Sequence, residues 1–451
     1  MSRSIAQVSS AANLRVAVVG SGPAGFYAAA ALSASELDVE VDLIERLPTP
    51  WGLVRLGVAP DHPKIKAVSR AFEKTAQQPG FRFFGNVEVG GDVSHGELAD
   101  LYDAVVYSVG AQTDRPLGIP GEDLPGSFAA TEFVAWYNGH PDFQRVSFDL
   151  SCERAVVIGN GNVALDVARM LALTHEELES TDTTDAAIEA IVGSGIREIL
   201  VVGRRGPVQA AWTPVEVGEL GELEGADVIV DPADLELDQA SEAELANAAP
   251  PVRRSVEHLR EYAVREPAGK ARSIRLRFLT SPVALLGAER VEVIELVRNE
   301  LVGGRAIPTD VRETLACGVV FRSVGYRGVA LHGVPFDEGT GTIPNAGGRV
   351  EPGLYAAGWI KRGPNGVIGT NKKDAAETVE LLLEDARAGH LPARGAGSLE
   401  QLLESRGVEA VLYAGWEAID RTERDAGEAR GRPRLKLCTW DALLAAARLG
   451  A

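Results

Sequence analysis

The chain has 451 residues, with 45 basic and 64 acidic side chains and a formal charge of −19. That length allows about three domain equivalents, and 45% hydrophobic with 24% charged residues is globular composition that excludes a disordered chain. The acid excess speaks against a nucleic-acid binder, which needs a concentrated basic surface. Cys152, Cys317 and Cys438 form no C-x-x-C pair, so neither a disulfide framework nor a zinc or iron–sulfur site is expected within the chain. Residues 1–13 lack the apolar core of a signal peptide, and no apolar run approaches the ~20 residues of a membrane span. A cytoplasmic protein without a membrane span is expected.

In chain order, residues 15–19 read as a buried parallel strand, followed by Gly20, Gly22, Pro23, Ala24 and Gly25 in a G-x-G-x-x-G turn and by an alanine-rich helix. Gly20 permits the tight turn, Gly22 lets a pyrophosphate approach the backbone, and Gly25 lets helix and strand pack closely. A second strand, 39–44, ends at Glu45, placed to accept from ribose hydroxyls and to repel a 2′-phosphate. This first site reads as FAD. Residues 104–111 form a further strand ending at a glycine, and Pro116, Pro120 and Pro125 mark a linker. The design then repeats: strand 154–158, a G-x-G-x-x-A turn with Asn160, Gly161, Asn162 and Val163, helix 165–173 and strand 199–202. This last strand ends at Arg204 and Arg205 instead of an acid, which suits the 2′-phosphate of NADP. The acidic stretch 176–185 reads as a surface insertion, and 274–280 with 291–298 as an antiparallel addition. Residues 318–326 repeat the pattern of 104–111, and the chain re-enters the first sheet near 354–358. The fold class is α/β, with two Rossmann-like, three-layer nucleotide-binding domains. The NADP domain (112–325) is inserted into a discontinuous FAD domain (1–111 and 326–451). The glycine-rich run before 370–374 can lie against a flavin ring, with a helix starting there and running through Glu380; residues 398–451 read as closing helices with no chemistry.

These motifs resemble the adrenodoxin-reductase-like NADPH–ferredoxin reductases, nearest to their bacterial FprA type. The matching segments are 20–25, 50–55, 57–66, 159–169, 203–206 and 358–373, spread over almost the whole chain. The family commonly has threonine where this chain has Asn365. The resemblance implies that Ala24, Glu45, Leu53, Val87, Trp359, Gly366, Val367 and Ile368 line FAD. It also implies that Asn160, Gly161, Asn162, Val163, Arg204, Arg205, Glu216 and Gly366 contact NADP(H).

A hydride carries two electrons and an iron–sulfur acceptor takes one, so a flavin between them and a separate ferredoxin partner are expected. His62 and Glu216 are the catalytic candidates, His62 tuning protonation or steering the nicotinamide and Glu216 orienting its amide. Arg253, Arg254, Arg260 and Arg265 lie on a basic helix that in the family carries ferredoxin docking, with Lys270, Arg272, Arg275 and Arg277 adding to it. An NADPH diaphorase or quinone reductase, the NADPH-oxidising subunit of a larger flavoprotein, and a non-catalytic NADPH/FAD-binding redox sensor remain as alternatives.

Overall fold

The computed structural model describes residues 13–450. Two six-stranded sheets organise them. In the first, the spatial order is Arg349–Glu351, Leu354–Ala356, Ala104–Tyr107, Leu14–Val19, Val39–Ile44 and Phe81–Phe84, all neighbours parallel except the first pair. Successive side chains point to opposite faces. Val16, Val18, Val41, Leu43 and Val106 therefore pack with Phe26, Leu32, Val379 and Leu382, which lie on helices Pro23–Ser33 and Thr370–Ala388. Ala17, Val19, Val105 and Tyr107 face the opposite layer with Leu98, Leu399 and Leu403.

The second sheet, entirely parallel, runs Ser127–Ala129, Val319–Arg322, Arg154–Ile158, Glu198–Val202, Arg272–Arg277 and Ala226–Val230. One face carries helix Asn162–Ala172 and its neighbours. The other is covered by a three-stranded antiparallel sheet, Thr280–Leu286, Val293–Val302 and Arg305–Ala316, through Leu285, Ile294 and Leu296. This corrects the expected pairing: Arg272–Arg277 is an interior parallel strand, and Val293–Val302 pairs with Thr280–Leu286. Ile274 and Leu276 pack in the helix-side core, whereas the alternate Arg275 and Arg277 pair with Glu198 and Glu313 and line a cavity of about 420 Å³. Alternation marks two unlike faces and does not distinguish parallel from antiparallel pairing.

The strand order reverses beside the strand that leads into each glycine turn, Leu14–Val19 and Arg154–Ile158, where Gly20 meets Ser108 and Gly159 meets Ser323. The two connections between the sheets pair as a short antiparallel ribbon, Thr113–Asp114 with Tyr326–Arg327. Gly110 and Gly325, just before the two strands of this ribbon, take left-handed φ values of +75° and +111°.

The acidic stretch 176–185 is only partly the expected surface insertion: Glu176, Ser180 and Asp185 are exposed, but its middle is buried. Thr181, Asp182, Thr183 and Thr184 are buried between helices His175–Glu179 and Asp185–Val192. Asp182 accepts from Lys66 Nζ at 2.6 Å and pairs with Lys436 Nζ at 3.2 Å. Arg432, also buried, donates to the carbonyls of Thr181 and Thr183 and to Asp185. The closing helices are Leu399–Arg406, Tyr413–Glu428 and Trp440–Ala447. They carry more than packing, since fully buried Glu423 accepts from Arg55 at 2.9 and 2.5 Å and from Arg434 at 3.1 Å. Helix Thr370–Ala388 begins where expected but runs beyond Glu380 to a left-handed Gly389. No side chain caps its start at Gly369.

Candidate functional site

The first glycine turn behaves as its steric logic requires. A Cβ on Gly20 (φ +98°) would lie 2.7 Å from the Ser108 carbonyl, and one on Gly25 would collide with the Gly20 carbonyl. Around Gly22, which caps helix Pro23–Ser33, no atom lies within 4 Å of an added Cβ. Two glycines serve the fold and the middle one leaves an open cradle at a helix N-terminus, the form of a pyrophosphate site. Pro23 supplies the first helical residue. Segment 50–55 leans on this turn. Trp51 donates its backbone N–H to Ser21 O at 2.9 Å, and a Cβ on Gly52 would meet Gly22 Cα at 2.9 Å. Trp51 takes φ +82°, backbone strain held in place by this packing. Glu45 accepts from Ser21 N (3.0 Å), Ser21 Oγ (2.7 Å) and Leu47 N (3.1 Å), so its carboxylate is fixed at the strand end. Val87 is buried beside it and donates its N–H to Glu45 O.

The third contributor is 358–373. Gly358 (φ +76°) approaches Ala24 so closely that a Cβ would lie 2.6 Å from that of Ala24. Its N–H donates to Asp374, which also pairs with Lys361 at 3.1 Å and Arg362 at 3.2 Å. Trp359 stacks on Tyr326 at 5.5 Å, and its Nε1 is buried without a hydrogen-bond partner among the described residues. Gly366 takes φ +82°. Leu53 is 45% and Val367 61% exposed, while Ile368 packs against the core.

The second turn repeats the pattern. A Cβ on Gly159 (φ +140°) would collide with the Ser323 carbonyl, whereas Gly161, capping helix Asn162–Ala172, faces open space. Asn160 Nδ2 is buried and has no partner among the described residues, and Asn162 Oδ1 holds the Thr213 N–H at 2.8 Å; Val163 packs at the edge of the core. Arg204 is exposed and Arg205 half-buried. Neither guanidinium has a hydrogen-bond or acidic partner among the described residues, so both charges are unspent.

Between the turns the structure joins His62 to Glu216. His62 lies in a loop off the first sheet and Glu216 on helix Pro214–Leu220 off the second; Nε2 and Oε2 are 3.7 Å apart. Glu219, one turn on, is nearer still at 2.8 Å. Arg169 sits among them, donating to Asp61 (2.6 and 3.2 Å), Asp166 (2.7 Å) and Glu216 (3.2 Å), with His62 Nδ1 at 3.5 Å. Burial, then Asp166, pushes the Glu216 carboxyl above its usual range, and burial raises that of Asp166. Burial opposes ionisation of Asp61 too, but the Arg169 guanidinium outweighs it and holds that carboxyl low. Together His62, Glu216 and Glu219 bring three ligand-type atoms within 4.8 Å of one another, but Arg169 already supplies the cation there. The sequence pointed to His62 and Glu216 as catalytic candidates but not to Asp61, Asp166, Arg169 and Glu219, which the structure gathers around them. The available signal was a buried charge pair at i, i+3 on the apolar face of the helix that Gly161 opens.

Helix Pro250–Val264 forms as expected. Arg254 and Arg260 are exposed without partners among the described residues. Arg253 donates to Ala248 O, and Arg265 donates to Gly221 O and stacks over Tyr262. The further basic residues do not join this face. Lys270 and Arg272 donate to the carbonyls of Leu223 and Leu171, and Arg275 and Arg277 pair with Glu198 and Glu313.

Comparison with known proteins places this geometry. Residues 14–201 match the family model described as pyridine nucleotide-disulphide oxidoreductase. The chain is 53% identical over 448 residues to NADPH-ferredoxin reductase FprA of Mycobacterium tuberculosis, covering 95% of this chain and 98% of that protein. It is 44% identical over 444 residues to the mitochondrial NADPH:adrenodoxin oxidoreductase of Bos taurus, covering 94% and 90%. The solved structure of Mycobacterium tuberculosis FprA in complex with NADPH superposes with a TM-score of 0.92 at 51% identity, over 97% of this chain and 100% of that one. The chain belongs to the family of NADPH–ferredoxin reductases that includes the adrenodoxin reductases.

Proposed function

We propose that the protein is an NADPH:ferredoxin oxidoreductase holding FAD on the first glycine turn and NADP(H) on the second. The carrying observation is the pairing of two open glycine cradles, Gly22 and Gly161, with opposite strand-end chemistry: fixed Glu45 at one and unspent Arg204 and Arg205 at the other. When bound, FAD supplies the change from two-electron to one-electron chemistry that links a hydride donor to an iron–sulfur acceptor. The chain's own residues bind and orient. Gly22, Pro23, Ala24, Leu53, Val87, Trp359, Gly366, Val367 and Ile368 line the flavin side, with Gly20 and Gly25 shaping the turn that holds them. Asn160, Gly161, Asn162 and Val163 hold the second pyrophosphate, and Glu216 orients the nicotinamide amide opposite His62. The division into residues 1–111 with 326–451 and an inserted 112–325 belongs to the same reading, supported by the ribbon of Thr113–Asp114 and Tyr326–Arg327 at both crossings. So does a cytoplasmic location, supported by three cysteines that are all free. No helix among the described residues is long and apolar enough to cross a membrane.

Anaerobic addition of NADPH should bleach the flavin of the purified protein, and a ferredoxin added next should be reduced at the flavin's expense. Bleaching without transfer to any ferredoxin would favour a diaphorase, and NADPH binding without bleaching a redox sensor.

The docking face is the outer side of helix Pro250–Val264, with Arg253, Arg254, Arg260 and Arg265 meeting an acidic ferredoxin. Replacing Arg254 and Arg260 with glutamate should slow ferredoxin-dependent cytochrome reduction through the association step. The wild-type rate at subsaturating ferredoxin should fall with added salt, because the Debye length is about 8 Å at physiological ionic strength. Reduction of a small neutral dye should be unchanged. Proportional loss of both activities, or of neither, rules the face out.

A further inference from the structure

We propose that Arg169 is a positioning residue that sets His62 and Glu216 against each other and pins the His62 loop to the second sheet. The proposal rests on the reading of that pair as the groups that meet the nicotinamide. Six polar or charged side chains converge here, and Arg169 is the one that touches most of them. Asp61 and His62 come from the loop after the first sheet, Asp166 and Arg169 from helix Asn162–Ala172, and Glu216 and Glu219 from helix Pro214–Leu220. Four carboxylates face one guanidinium whose side chain is only 3% exposed. Without a cation, four acids this close could not all ionise in a buried place.

The directions of the bonds make the arginine more than a neutraliser. Nε and Nη2 take the two oxygens of Asp61 at 2.6 and 3.2 Å, a two-point grip across the seam between the sheets. Nη1 takes Glu216 at 3.2 Å. One planar group therefore fixes both the residue next to His62 and the carboxylate of Glu216. Lysine could supply the charge but not this fork. Tyr137, with its hydroxyl buried and without a partner among the described residues, closes the cluster beside Asp61 and Asp166.

Arg169→Gln, Arg169→Lys, His62→Gln and Glu216→Gln, each as the flavin-loaded protein, test this. In Arg169→Gln the limiting rate of flavin reduction by NADPH should fall about 100-fold, as expected for a misplacement near 1 Å, while the NADP⁺ dissociation constant changes little. Arg169→Lys should recover part of that rate. The carboxyl-dependent limb of the pH–rate profile should move to higher pH in Arg169→Gln, because Glu216 loses the cation that opposes its burial and Asp166. Independently of activity, the amides of residues 59–66 should exchange with solvent faster once Asp61 is released. A normal rate and unchanged exchange in Arg169→Gln, with His62→Gln and Glu216→Gln slow, would overturn the positioning role and leave the site reading standing. If none of the four variants is slow, the site reading itself fails and the proposal with it. Should Arg169→Gln not fold, Arg169→Lys decides: slow turnover with faster loop exchange supports the fork, and wild-type values for both refute it.

Discussion

Arg204→Ala combined with Arg205→Ala should weaken NADPH binding by roughly 3–6 kcal/mol, about 1.5–3 for each charge-assisted hydrogen bond to the 2′-phosphate. That is between about two and four orders of magnitude in dissociation constant. Both guanidiniums stand at the end of strand Glu198–Val202 with no partner among the described residues, so nothing there competes with a phosphate for them. Arg204 is exposed and Arg205 half-buried, so Arg205 should carry the larger share, its charge being less screened by water. NADH lacks the 2′-phosphate, and its binding should hardly change. Calorimetric titration of both nucleotides checks this, and an equal weakening for the two would remove the assignment. The preference for NADPH over NADH should also shrink with added salt in the wild type, since at least one of the two charges lies at the surface.

What was legible in the sequence were features whose cause is local. A glycine that must take φ +98° between a strand and a helix, followed by one with open space over its Cα, is a steric demand readable from six residues. The same holds for the acid or arginine at the next strand's end, because its place follows from the strand–helix–strand unit. Long-range pairing was not legible. Arg169 and Asp61 are 108 positions apart, and only the way the two sheets face each other brings them together. Arg272–Arg277 misled for a related reason, since one partner of its arginine face, Glu313, lies on a covering strand that comes later in the chain. Asp182 misled most. In a run of acids and threonines it has the composition of a solvated loop, and its burial is decided by Lys66 and Lys436, which arrive from opposite ends of the chain.

That network supports the second large effect. Asp182→Asn should destabilise the holoprotein by about 3–5 kcal/mol at neutral pH, the usual consequence of removing one partner from a buried ion cluster. Asp182 is shared by two ammoniums, that of half-buried Lys66 at 2.6 Å and that of Lys436, whose side chain is fully buried, at 3.2 Å. Burial pushes Lys436 down to about 7, although Asp182 pulls it the other way. The flanking cations hold the Asp182 carboxyl far below its usual range, against its burial. The geometry explains the imbalance: Asp182 stays ionised on two cations, while Lys436 stands at the greater distance and receives the smaller share. In the unfolded chain Lys436 titrates at about 10.4. Folding therefore releases a proton between about pH 7 and that value, and the penalty for the buried ammonium, complete below pH 7, fades as pH rises. Without Asp182 the penalty grows, so the deficit of Asp182→Asn should be larger at pH 7 than at pH 9. Lys436→Met leaves Asp182 with Lys66 and removes the less well-held charge, so it should cost far less, and adding it to Asp182→Asn should restore part of the stability. Denaturation curves of the three variants at both pH values decide the matter. If Asp182→Asn matches wild type, or if its deficit does not depend on pH, the buried ammonium is not what sets stability at this seam.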